Sequence, residues 1–264
     1  MGSGVRRRRS ACWRTAPASS SRPSWCRIQP RVSIRALLVS SAVLAGACAV
    51  SYASLAFPPA REAANFSPRD IPAAVRRPGV ALLAALLFFE TGNEASVSGW
   101  VSTYVGYAGW SARTATAVLA VYWVAVIVGR ALAGRLHGRL SSGFLLVLCG
   151  AGSMAGCAWL MASHSLWMLV GASVVTSASL AGVYPTALAI AGDRYQRFAG
   201  TVFGTLFSVG ALGGMALPSA LGHLSEAAGL RTGMVVPLLG TAAVTLLAVA
   251  GWRQGPGIGD QGSG

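Results

Sequence analysis

The chain has 264 residues, of which 54% are hydrophobic and only 11% are charged, and its mean hydropathy is +0.58. A soluble domain of this length needs a larger charged fraction, so the composition excludes an ordinary soluble globular protein. The net charge of +14 comes from arginine alone, because the chain contains no lysine. Apolar runs of about 20 residues recur without the alternation of a membrane barrel, which predicts an all-α transmembrane protein.

The first segment, residues 1–33, is a basic tail rich in Arg, Ser and Pro, and its composition predicts disorder. A basic tail can bind nucleic acid, but no recognition module follows it, so no nucleic-acid partner is expected. The five cysteines show no metal-ligand spacing, and no catalytic motif or phosphate-binding loop is present. We therefore expect no enzyme activity, no catalytic residue, no metal and no cofactor.

About seven apolar spans follow the tail. They are predicted at 36–57, 79–105, 113–133, 143–163, 166–191, 199–222 and 233–252. The spacing of the spans predicts a single transmembrane helix within 34–57, a cytoplasmic linker over 58–78 and a six-helix bundle over 79–252. A disordered cytoplasmic tail is predicted over 253–264.

Arginines mark alternate loops of this arrangement. They occur in the linker 58–78, near 134–142, near 192–198 and at Arg253. The positive-inside rule places these loops in the cytoplasm and predicts a multi-pass protein of the cell membrane. The basic tail would then lie outside, against the rule. This conflict predicts that the start of the chain is not native, as in a truncated or frameshifted gene.

The second span carries two acids in the stretch FFETGNEASVSGW, residues 88–100. Glu90 and Glu94 lie about 16 Å and about 22 Å into the span and share a helical face with Asn93. A charged residue at the membrane centre costs about 2.5–3.5 kcal/mol, so this face is expected to meet protein or a water-filled cavity. The favoured interpretation is a substrate path; the alternative is pairing with neighbouring helices that serves packing alone.

Glycine and proline positions add predictions about helix shape. Glycines four residues apart predict close helix contacts at Gly134/Gly138, Gly152/Gly156, Gly200/Gly204 and Gly210/Gly214. Pro185 and Pro218 lie inside spans, and each frees a carbonyl group one turn earlier. Both positions are therefore predicted helix kinks.

Four segments carry a resemblance to a known family. ETGNEASVSGWVSTYV resembles the seventh helix of the fucose/glucose/galactose permease-type sugar branch of the major facilitator superfamily (MFS), in which a G-x-E precedes a tryptophan; here these are Gly92, Glu94 and Trp100. YWVAVIVGRALAGRLHGRL resembles helix eight with its basic cytoplasmic turn. LAGVYPTALAIAGDRY and FAGTVFGTLFSVGALGGMALPSALGHL resemble helices ten and eleven.

The resemblance implies a fold in which the seven spans correspond to helix six plus the C-terminal six-helix bundle of an MFS transporter. It implies a secondary transporter for a small polar solute, such as a sugar, working by alternating access with proton coupling. The implied partners are the lipid bilayer, the solute, a proton, and a missing N-terminal half or a second copy of the chain. The alternative is a non-transporting membrane remnant, or a half-transporter module that assembles with another chain.

The same resemblance gives expected roles to individual residues. The expected substrate path contains Glu90, Asn93, Glu94, Trp100, Tyr104 and Trp123. The expected cytoplasmic gate contains Arg130, Arg135 and Arg139, which would pair with acids of an opposite bundle.

Overall fold

A computed structural model describes residues 34–55, 72 and 76–253. The predicted tails at 1–33 and from 254 onward, and most of the predicted linker at 58–78, lie outside the described residues. The described residues fall into two units, one containing residues 34–55 and the other residues 72 and 76–253.

The first unit contains helix α1 (Ile34–Ala53). Its 20 residues span about 30 Å, which is the thickness of the hydrocarbon core of a bilayer. The hydroxyl groups of Ser40 and Ser51 donate to the carbonyl oxygens of Leu37 and Ala47 at 2.9 and 2.8 Å. These polar groups are therefore satisfied within the helix, as lipid requires. The helix ends four residues before the predicted boundary of the span.

The second unit is a bundle of helices joined by short connections. The helices are α2 (Pro78–Tyr107), α3 (Ala112–His137), α4 (Ser142–Ala162), α5 (Leu166–Leu180), α6 (Val183–Arg194), α7 (Ala199–Ala228), α8 (Leu230–Gly233) and α9 (Val235–Arg253). The pairs α5–α6 and α8–α9 each make one membrane span, so the bundle has six candidate spans and α1 adds a seventh. The predicted all-α transmembrane fold is confirmed for the described part of the chain.

Serine and proline residues explain where several helices begin. The side chains of Ser111, Ser141 and Ser165 accept hydrogen bonds from backbone N–H groups in the first turns of α3, α4 and α5. Each satisfies a donor that has no partner within the helix. Pro78 occupies the first position of α2, where a missing N–H costs nothing.

The fifth span breaks at Ala181 and Gly182, between α5 and α6. Pro185 follows in the first turn of α6 and cannot donate to the carbonyl group of Ala181. The Gly182 backbone also approaches α4 closely, since a Cβ there would lie 2.7 Å from Sγ of Cys149. Helix α7, in contrast, is continuous from Ala199 to Ala228 across Pro218. The kinks predicted at the two prolines remain predictions.

Close helix contacts involve only some of the predicted glycines. A Cβ added at Gly152 or Gly156 would strike Ser179 or Thr176 of α5, and one at Gly210 or Gly214 would touch Thr91 of α2. The prediction was wrong for Gly134, Gly138, Gly200 and Gly204, where an added Cβ would meet no described atom within 4 Å. The sequence spacing marks a smooth helix face, but it does not say whether another helix covers that face.

Two hydrophobic clusters hold the bundle, one toward each end. One contains Val80, Leu145, Tyr195 and Ala248, near the helix ends that carry Arg77, Arg135, Arg139, Arg194 and Arg253; we call this the arginine-rich end. The other contains Val105, Leu160, Leu169 and Leu230. Between the clusters lies a band of buried polar residues, and this band contains the candidate site.

Candidate functional site

The site begins with the two acids of α2. Glu90 is only 1% exposed. Its Oε2 atom accepts a hydrogen bond from the hydroxyl group of Thr91 at 3.1 Å. Its Oε1 atom is buried and has no hydrogen-bond partner among the described residues. A buried carboxyl oxygen without a partner is costly when the group is ionised, so this carboxyl group is chemically able to hold a proton or to accept a hydrogen bond from a polar group.

Glu94 lies one turn further along α2 and faces Arg130 of α3. Both of its carboxylate oxygens lie 3.4 Å from Nη2 of Arg130. The contact is longer than a tight charged hydrogen bond, and the Glu94 and Arg130 side chains are 18% and 50% exposed. The pair is therefore loose and accessible from outside the bundle.

The antiparallel course of α2 and α3 explains how these residues meet. Helical side chains lean toward the N-terminus of their own helix. Glu94 leans toward the arginine-rich end, where α2 begins, and Arg130 leans away from it. The long arginine side chain bridges the remaining difference in depth. Arg135 lies in the last turn of α3 and Arg139 in the turn after it, whereas Arg130 of the predicted gate contacts Glu94.

Helix α3 carries two neighbouring aromatic residues. Tyr122 is fully buried, and its hydroxyl group has no hydrogen-bond partner among the described residues. The ring of Trp123 meets that of Tyr122 edge-on, with centroids 5.7 Å apart, and Trp123 is 43% exposed. Trp123, which the sequence singled out, is the accessible member, and Tyr122 supplies the buried hydroxyl.

The other predicted path residues lie elsewhere on α2. The Asn93 side chain is buried against Gly240 of α9, and neither amide atom has a described partner. The ring of Trp100 lies against Gly222 of α7. Tyr104 is buried in the hydrophobic cluster far from the arginine-rich end. The structure does not bring these three side chains to the Glu94–Arg130 pair, and their place on a substrate path stays a prediction.

Three aromatic rings form a row on α6 and α7. Tyr184 and Phe207 stack with centroids 6.4 Å apart and planes 9° apart. Phe203 stacks on Phe207 at 6.0 Å. The sequence analysis missed this row, although the i, i+4 spacing of the two phenylalanines placed them on one face of α7.

These groups together define what the site can do chemically. A carboxyl pair can exchange a proton and accept hydrogen bonds, while Arg130 and the Tyr122 hydroxyl can donate them. Flat aromatic faces can contact the apolar face of a ring. Among the described residues, no group of three or more His, Cys, Asp or Glu side chains is arranged to hold a metal ion.

Comparison with known proteins places this arrangement in a family. The profile described as Major Facilitator Superfamily matches residues 30–218. A crystal structure of the MFS transporter FucP in the outward conformation matches with a TM-score of 0.65 and 20% identity, over 81% of this chain and 53% of that chain. A variant of the E. coli fucose:proton symporter FucP matches equally well, over 82% of this chain and 54% of that chain.

The chain thus spans about half the length of the FucP structures that it matches. No curated protein matches it. At this level of identity the structural likeness shows the fold, and the family match covers most of the chain. The chain therefore belongs to the major facilitator superfamily.

Proposed function

We propose that the chain forms part of a secondary transporter of the cell membrane that carries a small polar solute by alternating access. The observation that carries this proposal is the carboxyl pair Glu90 and Glu94 at mid-depth of a membrane span, with Arg130 beside it. Ionisable residues at such depth are costly and usually mark a substrate or ion pathway. The likeness to FucP, a fucose:proton symporter, supports a sugar as the solute and a proton as the coupling ion.

In this proposal one set of residues holds the proton and another set binds the solute. Glu90 holds the proton, because its Oε1 atom is buried and unpartnered among the described residues. Glu94 and Arg130 bind solute hydroxyl groups when their 3.4 Å contact opens. Trp123 and Phe207, which are 43% and 48% exposed, offer ring faces to the solute. This assigns Arg130 to the solute site and leaves the gate to Arg135 and Arg139.

Asn93, Trp100 and Tyr104 enter the path in a different state. They lie in helix contacts here, with Asn93 and Trp100 against glycines of α9 and α7. Alternating access moves helices relative to one another around a central site. These residues join the path when α2 shifts against its neighbours.

A second candidate is a module that works only with another chain. The observation that favours it is the accessible surface on which the site lies, where Arg130, Trp123 and Phe207 are each close to half exposed. A second bundle, either an N-terminal half or another copy of this chain, would cover that surface. A chain with no partner would be a non-transporting remnant.

Uptake of labelled fucose into proteoliposomes under an inward proton gradient tests the proposal. We expect wild-type flux, and a loss of about tenfold or more in Glu94→Gln, because a hydrogen bond to a charged group is worth about 1.5–3 kcal/mol. Glu226→Gln is the matched control, since Glu226 is an exposed acid at the end of α7. Equal flux in both variants would contradict the assigned role of Glu94.

Cross-linking separates the two candidates if the chain alone moves no solute. In a chain with its native cysteines replaced, Trp123→Cys would give a cross-linked dimer in membranes if a second copy covers the site, whereas Leu246→Cys on α9 would not. Absence of flux together with absence of a cross-link would exclude a second copy and leave an N-terminal half or the remnant.

A further inference from the structure

A pocket lies at the arginine-rich end of the bundle, away from the carboxyl pair. It is formed by α2, α4, α6 and α9 and has a volume of about 90 Å³. Its walls include Leu82, Leu83, Leu146, Ile190 and Leu247, and its polar lining residue is Arg194. The pocket therefore has apolar walls that suit an acyl chain and one cationic side chain at its edge that suits an anionic headgroup.

The cation is held next to the start of α2. A Cβ added at Gly79 would strike the hydroxyl group of Tyr195 and would lie 3.6 Å from Nη1 of Arg194. The guanidinium carbon of Arg194 lies 5.8 Å from the centroid of the Tyr195 ring. The N-cap residue of α2, Arg77, makes no side-chain cap, so the Gly79 N–H group lacks a side-chain capping acceptor. Arg194 and this N–H group together favour an anionic oxygen.

The surroundings are also suited to an anion at a membrane surface. The charged residues at this end include Arg76, Arg77, Arg135, Arg139, Arg194 and Arg253, together with the acid Asp193. Trp252 lines the pocket and is 51% exposed, with its ring edge-on to Phe144 at 6.0 Å. Tryptophan and arginine at the end of a span are typical of the interface between hydrocarbon and headgroups.

We propose that this pocket binds one anionic phospholipid. An acyl chain lies against Leu82 and Leu247, and the phosphate group binds Arg194 near the N-terminus of α2. Anionic lipids enrich the leaflet that basic loops face, which supplies the ligand. The inference is independent of the transported solute, because no residue of this pocket belongs to the carboxyl site.

Native mass spectrometry of the full chain from detergent tests the proposal, with phosphatidylglycerol and phosphatidylethanolamine added in equal amounts. We expect one retained phosphatidylglycerol per chain. Arg194→Gln should lower its retention about tenfold, which corresponds to one charge-assisted hydrogen bond. Arg139→Gln removes an arginine from the same end that does not line the pocket, and it should change retention by less than about twofold.

Two further arms test the acyl chain and the phosphate group separately. Leu247→Trp fills the apolar slot and leaves Arg194 in place, so it should also lower retention if the acyl chain occupies the slot. Inorganic phosphate added in excess should leave the bound lipid unchanged. Equal retention of the two lipids, equal effects of Arg194→Gln and Arg139→Gln, or displacement by inorganic phosphate would each overturn the proposal.

Discussion

The contact between α2 and α7 positions the acidic face, and a single methyl group should disrupt it. A Cβ added at Gly213 of α7 would lie 2.6 Å from the carbonyl carbon and 2.8 Å from Cα of Phe88 in α2. Carbon atoms in favourable contact are about 3.5–4.0 Å apart. Because the obstacle is backbone and no side chain can rotate away, Gly213→Ala must move the helices apart by about 1 Å.

The size of the effect follows from two opposing terms. Overpacking of this kind costs about 1–3 kcal/mol, and alanine in place of glycine favours a helix by up to about 1 kcal/mol. Gly204→Ala on the same helix is the matched control, because an added Cβ there meets no described atom within 4 Å. The propensity term is common to both variants, so Gly213→Ala should be about 1–3 kcal/mol less stable than Gly204→Ala.

Reversible unfolding in mixed detergent micelles, followed by helical circular dichroism, measures this difference. Fucose uptake by the two variants adds a functional readout, since movement of α2 displaces Glu90 and Glu94 from α3. If Gly213→Ala were as stable as Gly204→Ala, the close approach of the two helices, and the position of the acidic face that depends on it, would be refuted.

Three further predictions concern the site and the core. Arg130→Gln should destabilise the protein more than Glu94→Gln does, because the arginine that Glu94→Gln leaves unpaired is half exposed and can reach water. A double-mutant cycle should give a coupling energy between Glu94 and Arg130 of about 0.6–1.7 kcal/mol. A coupling energy near zero would contradict the pair. Phe207→Ala should raise the half-saturating sugar concentration about 2–10-fold through lost stacking, whereas Phe207→Tyr should keep it within about twofold. Equal half-saturating concentrations in the two variants would show that the Phe207 ring does not contact the sugar. In a chain with Cys12, Cys26 and Cys48 replaced, maleimide should label the buried Cys149 and Cys157 slowly in mild detergent and rapidly after unfolding. Rapid labelling of Cys157 in mild detergent would contradict the packing of α4.

Much of the fold could be predicted because the chain encodes it locally. The length of the apolar runs predicts the spans, and serines at 111, 141 and 165 precede helices that they cap. The acids of α2 were identifiable because a charge is costly inside a bilayer. Each of these signals depends on a residue and its immediate neighbours in sequence.

Contacts between helices could not be predicted in this way. Glu94 and Arg130 are 36 residues apart, and several other arginines were equally plausible partners before the antiparallel geometry was known. Tyr184 and Phe207 meet across α6 and α7. Asn93 shares the helical face of the acids by spacing, yet it packs on α9 against Gly240. A helical repeat gives the direction of a side chain, but the neighbouring helices determine what that side chain contacts.

The central claim is that the carboxyl pair of α2 serves a solute and a proton. The most direct measurement is the external pH of proteoliposomes when sugar is added without any imposed gradient. The proposal predicts alkalinisation with the wild-type chain, none with Glu90→Gln, and an unchanged response with Glu226→Gln. Sugar uptake without any pH change in the wild type, or full alkalinisation with Glu90→Gln, would contradict it.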